Sequence, residues 1–283
     1  DRFNDACRTS VMQFTDQWER YVNRQARWVD FADDYKTMDL PYMESVIWAF
    51  SELWKKGLIY EAYRVMPYSW GAETPLSNFE IRLDDATRPR QDPAITVAFD
   101  LDPIPGDPAP LKILAWTTTP WTLPSNLALA VGPDLDYDVL EDDGTYYVLG
   151  AATVAKYEAQ LKGARHHSSL PGTELLERTY VPLFPYFAGQ PNSFRILAGD
   201  FIDTSEGTGV VHLAPGFGED DQRVCEAAGI DLVVPVDDAG RFTDDVVEWA
   251  GENVFDANPS VIRHLKDRGL VVRHDTYEHN YPH

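Results

Sequence analysis

Three stretches of this 283-residue sequence carry side chains whose types and spacing could do chemistry. The first is Trp116-Thr117-Thr118-Thr119-Pro120-Trp121-Thr122-Leu123-Pro124-Ser125-Asn126, where four hydroxyls and two indoles fall within seven residues between prolines. Threonine hydroxyls and freed backbone N–H groups can hold a water, a carbonyl or a ribose hydroxyl. The same composition also suits a strand end closed by a proline turn. The second stretch, 207–221, reads Gly-Thr-Gly-Val-Val-His-Leu-Ala-Pro-Gly-Phe-Gly-Glu-Asp-Asp. Its His212 sits among strand-forming apolar residues, a setting in which histidine commonly serves the core. Its Asp221 falls near a helix start, where a carboxylate caps or matches the helix dipole. Gly216 and Gly218 hint at a dinucleotide loop, but Asp221 stands where the third glycine belongs. The third stretch, 64–79, reads as a connector.

These residues must be held by the elements around them. Met43, Val46, Ile47, Phe50, Leu53 and Trp54 recur at helical spacing, with Pro41 near the start and Gly57 past the end. An earlier helix is expected from about 4 to 23, burying Val11, Phe14 and Trp18. From about residue 80 the texture changes to short strands between turns, predicted at 94–99, 112–116, 127–131, 146–149 and 209–213. Residues 100–110, with four prolines, read as a loop. A helix over about 219–228 should stop at Gly229. A later one is expected with Asn258 as cap, Pro259 in its first turn and Gly269 as its stop. The order predicts an α+β fold in two parts: a helical segment over 1–80, then a barrel-like β domain with peripheral helices over 81–283.

Composition narrows the function classes. No apolar run approaches the roughly 20 residues of a membrane span, and no basic-then-apolar leader opens the chain. A start at Asp1 without Met suggests a segment of something longer. Cys7 and Cys225 cannot build a disulfide framework or a cysteine-rich zinc site. A reducing compartment, the cytoplasm, is expected. A net charge of -22 argues against a strong sequence-independent grip on nucleic acid. There is no P-loop, no Gly-x-Ser-x-Gly elbow and no metal-spaced histidine pair.

Taken together the stretches are far more specific than any one of them. The threonine-rich peptide and Gly-Thr-Gly-Val-Val-His-Leu-Ala-Pro-x-x-Gly-x-Asp-Asp resemble the two editing peptides of isoleucyl-tRNA synthetases, in the domain called connective peptide 1. Arg27-Trp-Val-Asp-Phe31, Tyr42-Met-Glu-Ser45 and Leu53-Trp-Lys-Lys-Gly-Leu-Ile-Tyr-Glu61 are similar to the segment joining that family's nucleotide-binding fold to its editing insertion. Valyl and leucyl relatives put Arg after the second threonine, where this chain has Thr119. The His-Ile-Gly-His and Lys-Met-Ser-Lys-Ser signatures of amino-acid activation are missing. Where many relatives carry a Cys-x-x-Cys zinc knuckle, this chain has Tyr68-Ser69-Trp70-Gly71-Ala72-Glu73, and Gln222 stands where they often have Tyr.

The resemblance implies post-transfer editing, the hydrolysis of valine esterified to tRNA(Ile), as part of a longer isoleucine-tRNA ligase. The partners it implies are that charged tRNA and the remainder of the synthetase, with no membrane involved. Asp221 would pair with the substrate ammonium. Thr117, Thr118 and Thr119 would position the carbonyl, the terminal ribose and the attacking water. His212 and Thr122, with Trp116 nearby, would form the sieve around the valine side chain. No cofactor and no metal is expected for editing; ATP and possible zinc belong to the parent enzyme. Given the charge, most tRNA affinity should reside elsewhere, leaving this chain to grip the charged 3′ end. Two alternatives stand beside this: a non-catalytic module docking tRNA or protein, and an unrelated threonine or serine hydrolase with His212 as base.

Overall fold

A computed structural model describes residues 2–282 of the chain. They fall into two compact units, Asp1–Tyr63 and Arg64–His283. The first holds three helices, α1 (Arg2–Val11), α2 (Thr15–Arg24) and α3 (Leu40–Lys55). Helix α3 follows its sequence signals: proline lies in its first turn, and Gly57 takes up φ +67° just beyond its end. The single helix expected over 4–23 is instead broken between α1 and α2. Thr9, Ser10 and Val11 are poor helix formers, and the Thr15 hydroxyl donates to the Met12 carbonyl in the intervening turn. Val11, Phe14 and Trp18 are exposed, because three short helices enclose no core of their own.

Among the described residues, every strand lies in the second unit. A two-stranded ribbon, β1 (Tyr68–Ser69) with β2 (Thr74–Pro75), precedes β3 (Thr87–Asp100), β4 (Leu111–Thr117), β5 (Ala128–Val131), β6 (Asp136–Asp142) and β7 (Thr145–Gly150). Then follow β8 (Arg165–Pro171), β9 (Arg195–Ala198), β10 (Val210–Leu213), α4 (Glu219–Ala227), α5 (Val254–Asp267) and β11 (Val271–Pro282). The strands form a six-stranded sheet, β11-β3-β4-β7-β6-β8, and a three-stranded sheet, β10-β5-β9. Both are mixed, since β4 runs parallel to β7 and β5 to β9. The barrel-like core expected from sequence is thus two open sheets: β11 and β8 remain separate edges, and closure would require them to pair.

Alternation along the strands creates the layers. Ile113 and Ala115 of β4 share one core with Ile95 and Val97 of β3, Leu129 and Val131 of β5, and Val261 and Leu265 of α5. Leu114 turns to the opposite face, beside Tyr157 and Leu161. Ala128 and Ala130 face a third cluster with Val224 and Cys225 of α4. The β5 sheet therefore lies between the large sheet and α4. Helix α5 starts earlier than its sequence signals suggested. Asn253, not Asn258, is the cap, its side chain accepting from the Phe255 N–H at 3.0 Å. Pro259 lies inside the helix, and Asn258 is buried for another purpose.

Candidate functional site

The threonine-rich peptide begins as the end of β4 and passes at once into a 3₁₀ turn, Pro120–Ser125, with proline at its first position. Local hydrogen bonds set its shape. The Thr119 N–H donates to the Thr117 hydroxyl at 3.0 Å, and the Thr122 N–H donates to the Thr119 carbonyl at 3.0 Å. From α5, Asn258 accepts the Trp121 N–H at 2.9 Å, which docks the turn on the helix. Asn126 closes it, its amide donating to the Ala128 and Leu213 carbonyls while its oxygen accepts the Tyr180 hydroxyl.

His212 arrives from β10. It is registered opposite Leu129 of β5, so both side chains point into the layer shared with β4. Thr117 follows Ile113 and Ala115 on that same face of β4. The result is one continuous chain of side chains. Thr117 Oγ1 lies 3.2 Å from Thr119 Oγ1, which lies 3.2 Å from Thr122 Oγ1, which lies 3.0 Å from His212 Nε2.

The direction of this chain follows from counting protons. The Thr122 hydroxyl has one hydrogen and donates it to the Thr119 carbonyl at 2.8 Å. Toward His212 it must then accept, so Nε2 carries the ring proton and Nδ1 is the bare nitrogen. That Nδ1 is buried and has no partner among the described residues, and neither does the buried indole N–H of Trp121. Burial pushes the imidazole down to about 4, so it is neutral at pH 7. A ring that already donates through Nε2 and protonates only near pH 4 is a poor base for a threonine nucleophile. The geometry therefore weighs against the threonine-hydrolase alternative.

Asp221 stands in the first turn of α4, where its Oδ2 accepts the Ala214 N–H at 2.9 Å, two residues after His212. Gly218 is required by this approach: a Cβ there would sit 2.6 Å from the Asp221 carboxyl carbon. Desolvation pushes the Asp221 carboxyl up to about 6, opposed by the N–H groups of Ala214 and Asp221 and assisted by Asp220. Apart from the Ala214 bond, no side chain among the described residues pairs with it.

A model of the family described as tRNA synthetases class I (I, L, M and V) matches residues 1–235. The chain belongs to that family. An isoleucine–tRNA ligase of Rickettsia felis is 53% identical over 300 residues, and one of Rickettsia canadensis 55% over 287. Each alignment covers all of this chain but 27% of the relative, so the chain spans about a quarter of their length. Among solved structures, the crystal structure of GlLeuRS-CP1 matches with a TM-score of 0.50 at 16% identity, covering 64% of this chain and 98% of that one. At that identity the likeness is one of fold, and it spans a mixed helix-and-sheet domain of the kind described above.

Within this tRNA-synthetase unit the expected site residues are not all treated alike. Thr117, Thr119, Thr122 and His212 are hydrogen-bonded together. Thr118 is half-buried and lies outside the chain of hydroxyls. Trp116 projects from the other face of β4, the face of Leu114, and packs edge-on against Tyr277 of β11 at 5.5 Å. Gln222 accepts the Val65 N–H at 2.9 Å, tying the connector to α4. Among the described residues no three His, Cys, Asp or Glu side chains lie close enough together to hold a metal ion. Asn258 was expected only as a helix cap, and no site role was expected for Asn126. Only the asparagine at the end of the threonine-rich motif hinted at the second.

Proposed function

We propose that this chain hydrolyses the ester of tRNA(Ile) mischarged with valine, as the editing part of an isoleucine-tRNA ligase. The observation that carries the proposal is the partly buried chain of hydroxyls from Thr117 to Thr122 that ends on His212, in a tRNA-synthetase unit whose relatives are isoleucine–tRNA ligases. Isoleucine and valine differ by one methylene. In an apolar pocket that is worth only about 1–3 kcal/mol, a limit for which isoleucine enzymes are themselves the standard illustration. A second site that admits only the smaller product supplies the missing fidelity.

In this reading His212 and Thr122 form the wall that excludes the larger side chain, and Trp116, turned to the other face of β4, takes no part in it. A neutral imidazole suits a wall against an aliphatic group better than a charged one. Asp221, ionised above about pH 6, pairs with the substrate ammonium and orients the ester. Thr117, Thr118 and Thr119 position the carbonyl, the terminal ribose and the attacking water. No strong base is called for, and the rate comes from positioning and from hydroxyls placed before the reaction begins. The charged tRNA is the partner, the remainder of a longer synthetase holds most of it, and the setting is the cytoplasm.

The test is deacylation of Val-tRNA(Ile) and Ile-tRNA(Ile), side by side, with the chain at catalytic amounts. Rapid loss of valine with isoleucine retained is expected. Binding of tRNA with no turnover of either ester would replace this reading with that of a docking module.

A further inference from the structure

One ring away from the threonine-rich turn lies a cavity of about 320 Å³, with Trp70, Arg90, Arg241, Phe255 and Asp256 in its lining. Phe255 joins the two places: its ring meets that of Trp121 at 6.3 Å and that of Trp70 also at 6.3 Å. The two arginines are held differently. The Arg90 guanidinium stacks on Phe255 at 4.0 Å and lies 5.3 Å from the Tyr281 ring. Its Nε donates to buried Asp92 at 2.9 Å, and Asp92 also meets His279 Nε2 at 2.8 Å. This bracing leaves the two terminal nitrogens of Arg90 without a protein partner among the described residues. The Arg241 guanidinium has neither hydrogen bond nor ion pair there, although the Arg241 backbone N–H is fixed by Asp237. In a chain of net charge -22, Arg178, Arg195, Arg223 and Arg273 each meet a carboxylate, whereas Arg241 meets none among the described residues. Trp70 is half exposed, and it is seated on Gly240, where φ is +70° and a Cβ would lie 2.9 Å from that of Trp70.

We propose that this cavity is a subsite for single-stranded RNA, stacking one base on Trp70 and holding the adjoining phosphodiester between Arg90 and Arg241. The assignment of RNA rests on the neighbouring site being one for a charged tRNA end. A strand whose terminal ribose reaches the threonines has Trp121 and Phe255 as the floor of its path, with the cavity at the preceding nucleotides. An exposed indole beside a braced guanidinium fork is the combination that binds single strands without reading sequence. Arginine suits this task because its planar fork matches two phosphate oxygens. Asp256 opposes an anion, so stacking must supply part of the affinity.

The test is a fluorescence-anisotropy titration of the whole chain with a labelled RNA pentanucleotide ending in CCA, with melting temperatures confirming that each variant is folded. Trp70→Ala and Arg241→Gln should each weaken binding about tenfold, the scale of one lost base stack or one charge-assisted contact. Asp256→Asn should tighten it, the opposite sign. Equal affinity in all three variants, or no binding by the unaltered chain at millimolar protein, would overturn the proposal. Full displacement by equimolar inorganic phosphate would reduce the cavity to a phosphate site. An oligoglutamate peptide that binds with the same variant dependence would assign it to acidic peptides, and either result overturns the RNA reading. Deacylation is scored separately on the unaltered chain. If the expected RNA pattern appears while no ester is cleaved, the subsite stands and the editing reading falls.

Discussion

Replacing Asp221 by asparagine should give a more stable and much less active protein. Burial raises the carboxyl from its ordinary 3.8 to about 6, so the folded chain holds that proton more tightly than the unfolded chain does. The contribution of this group therefore favours folding at pH values below 3.8 and is lost as pH rises through about 6. Moving a carboxyl from 3.8 to about 6 corresponds to about 3 kcal/mol, the cost of keeping it ionised and mostly buried at neutral pH. Asparagine keeps an oxygen for the Ala214 N–H and has no charge to desolvate. Asp221→Asn should thus be more stable than the unaltered chain by about 2–3 kcal/mol at pH 7.5. For a unit of this size that is about 4–12 °C in Tm. Every other titrating group is common to both proteins, so the difference between their unfolding curves at pH 7.5, 6 and 5 isolates Asp221. The gap should shrink steadily as pH falls. Deacylation of Val-tRNA(Ile) in the same preparations should drop on the order of a hundredfold, because the ester loses the anchor that orients it. A stability gap that is flat with pH would refute the desolvation argument. Near-normal deacylation would reduce Asp221 to an acceptor for the Ala214 turn.

Three further substitutions probe the rest of the site. His212→Ala should raise hydrolysis of Ile-tRNA(Ile) relative to Val-tRNA(Ile) by about tenfold, since the space of one methylene opens. If His212 serves only the core, both rates fall together and stability drops by about 2–4 kcal/mol. Thr122→Val leaves the His212 Nε2–H buried without an acceptor, which should cost about 1–3 kcal/mol in urea unfolding, and Thr122→Ser should restore most of it. Asn258→Ala strands the Trp121 N–H in the same way; a loss of about 1–3 kcal/mol together with slower deacylation is expected, and unchanged kinetics would show that the turn holds its shape without α5.

The sequence by itself determined helices α3 and α4, the strands β3, β4, β5, β7 and β10, the mixed class and the family resemblance. Each of these is written in neighbouring residues. Continuous apolar runs such as those around Ile113 and Leu129, a proline opening α3 and a glycine closing it, and the two unbroken peptides around Thr118 and His212 need no distant partner to be read. What needed the tertiary structure was every relation between segments far apart in the chain. Sequence spacing says nothing of the register that sets His212 opposite Leu129, and that register brings the imidazole within 3.0 Å of a threonine 90 positions earlier. It says equally little of strand alternation at a motif's edge, which turns Trp116 toward Tyr277 while Thr117 faces the site. The open sheets, the cap at Asn253 and the use of Asn258 to hold Trp121 are likewise decided by packing around α5. So too is the bracing of Arg90 by Phe255, Asp92 and Tyr281. Propensity and pattern act over a turn of helix or a few strand residues. Burial, desolvation and hydrogen-bond direction arise only when the folded layers exclude water, and it is that exclusion which makes His212 neutral and raises Asp221.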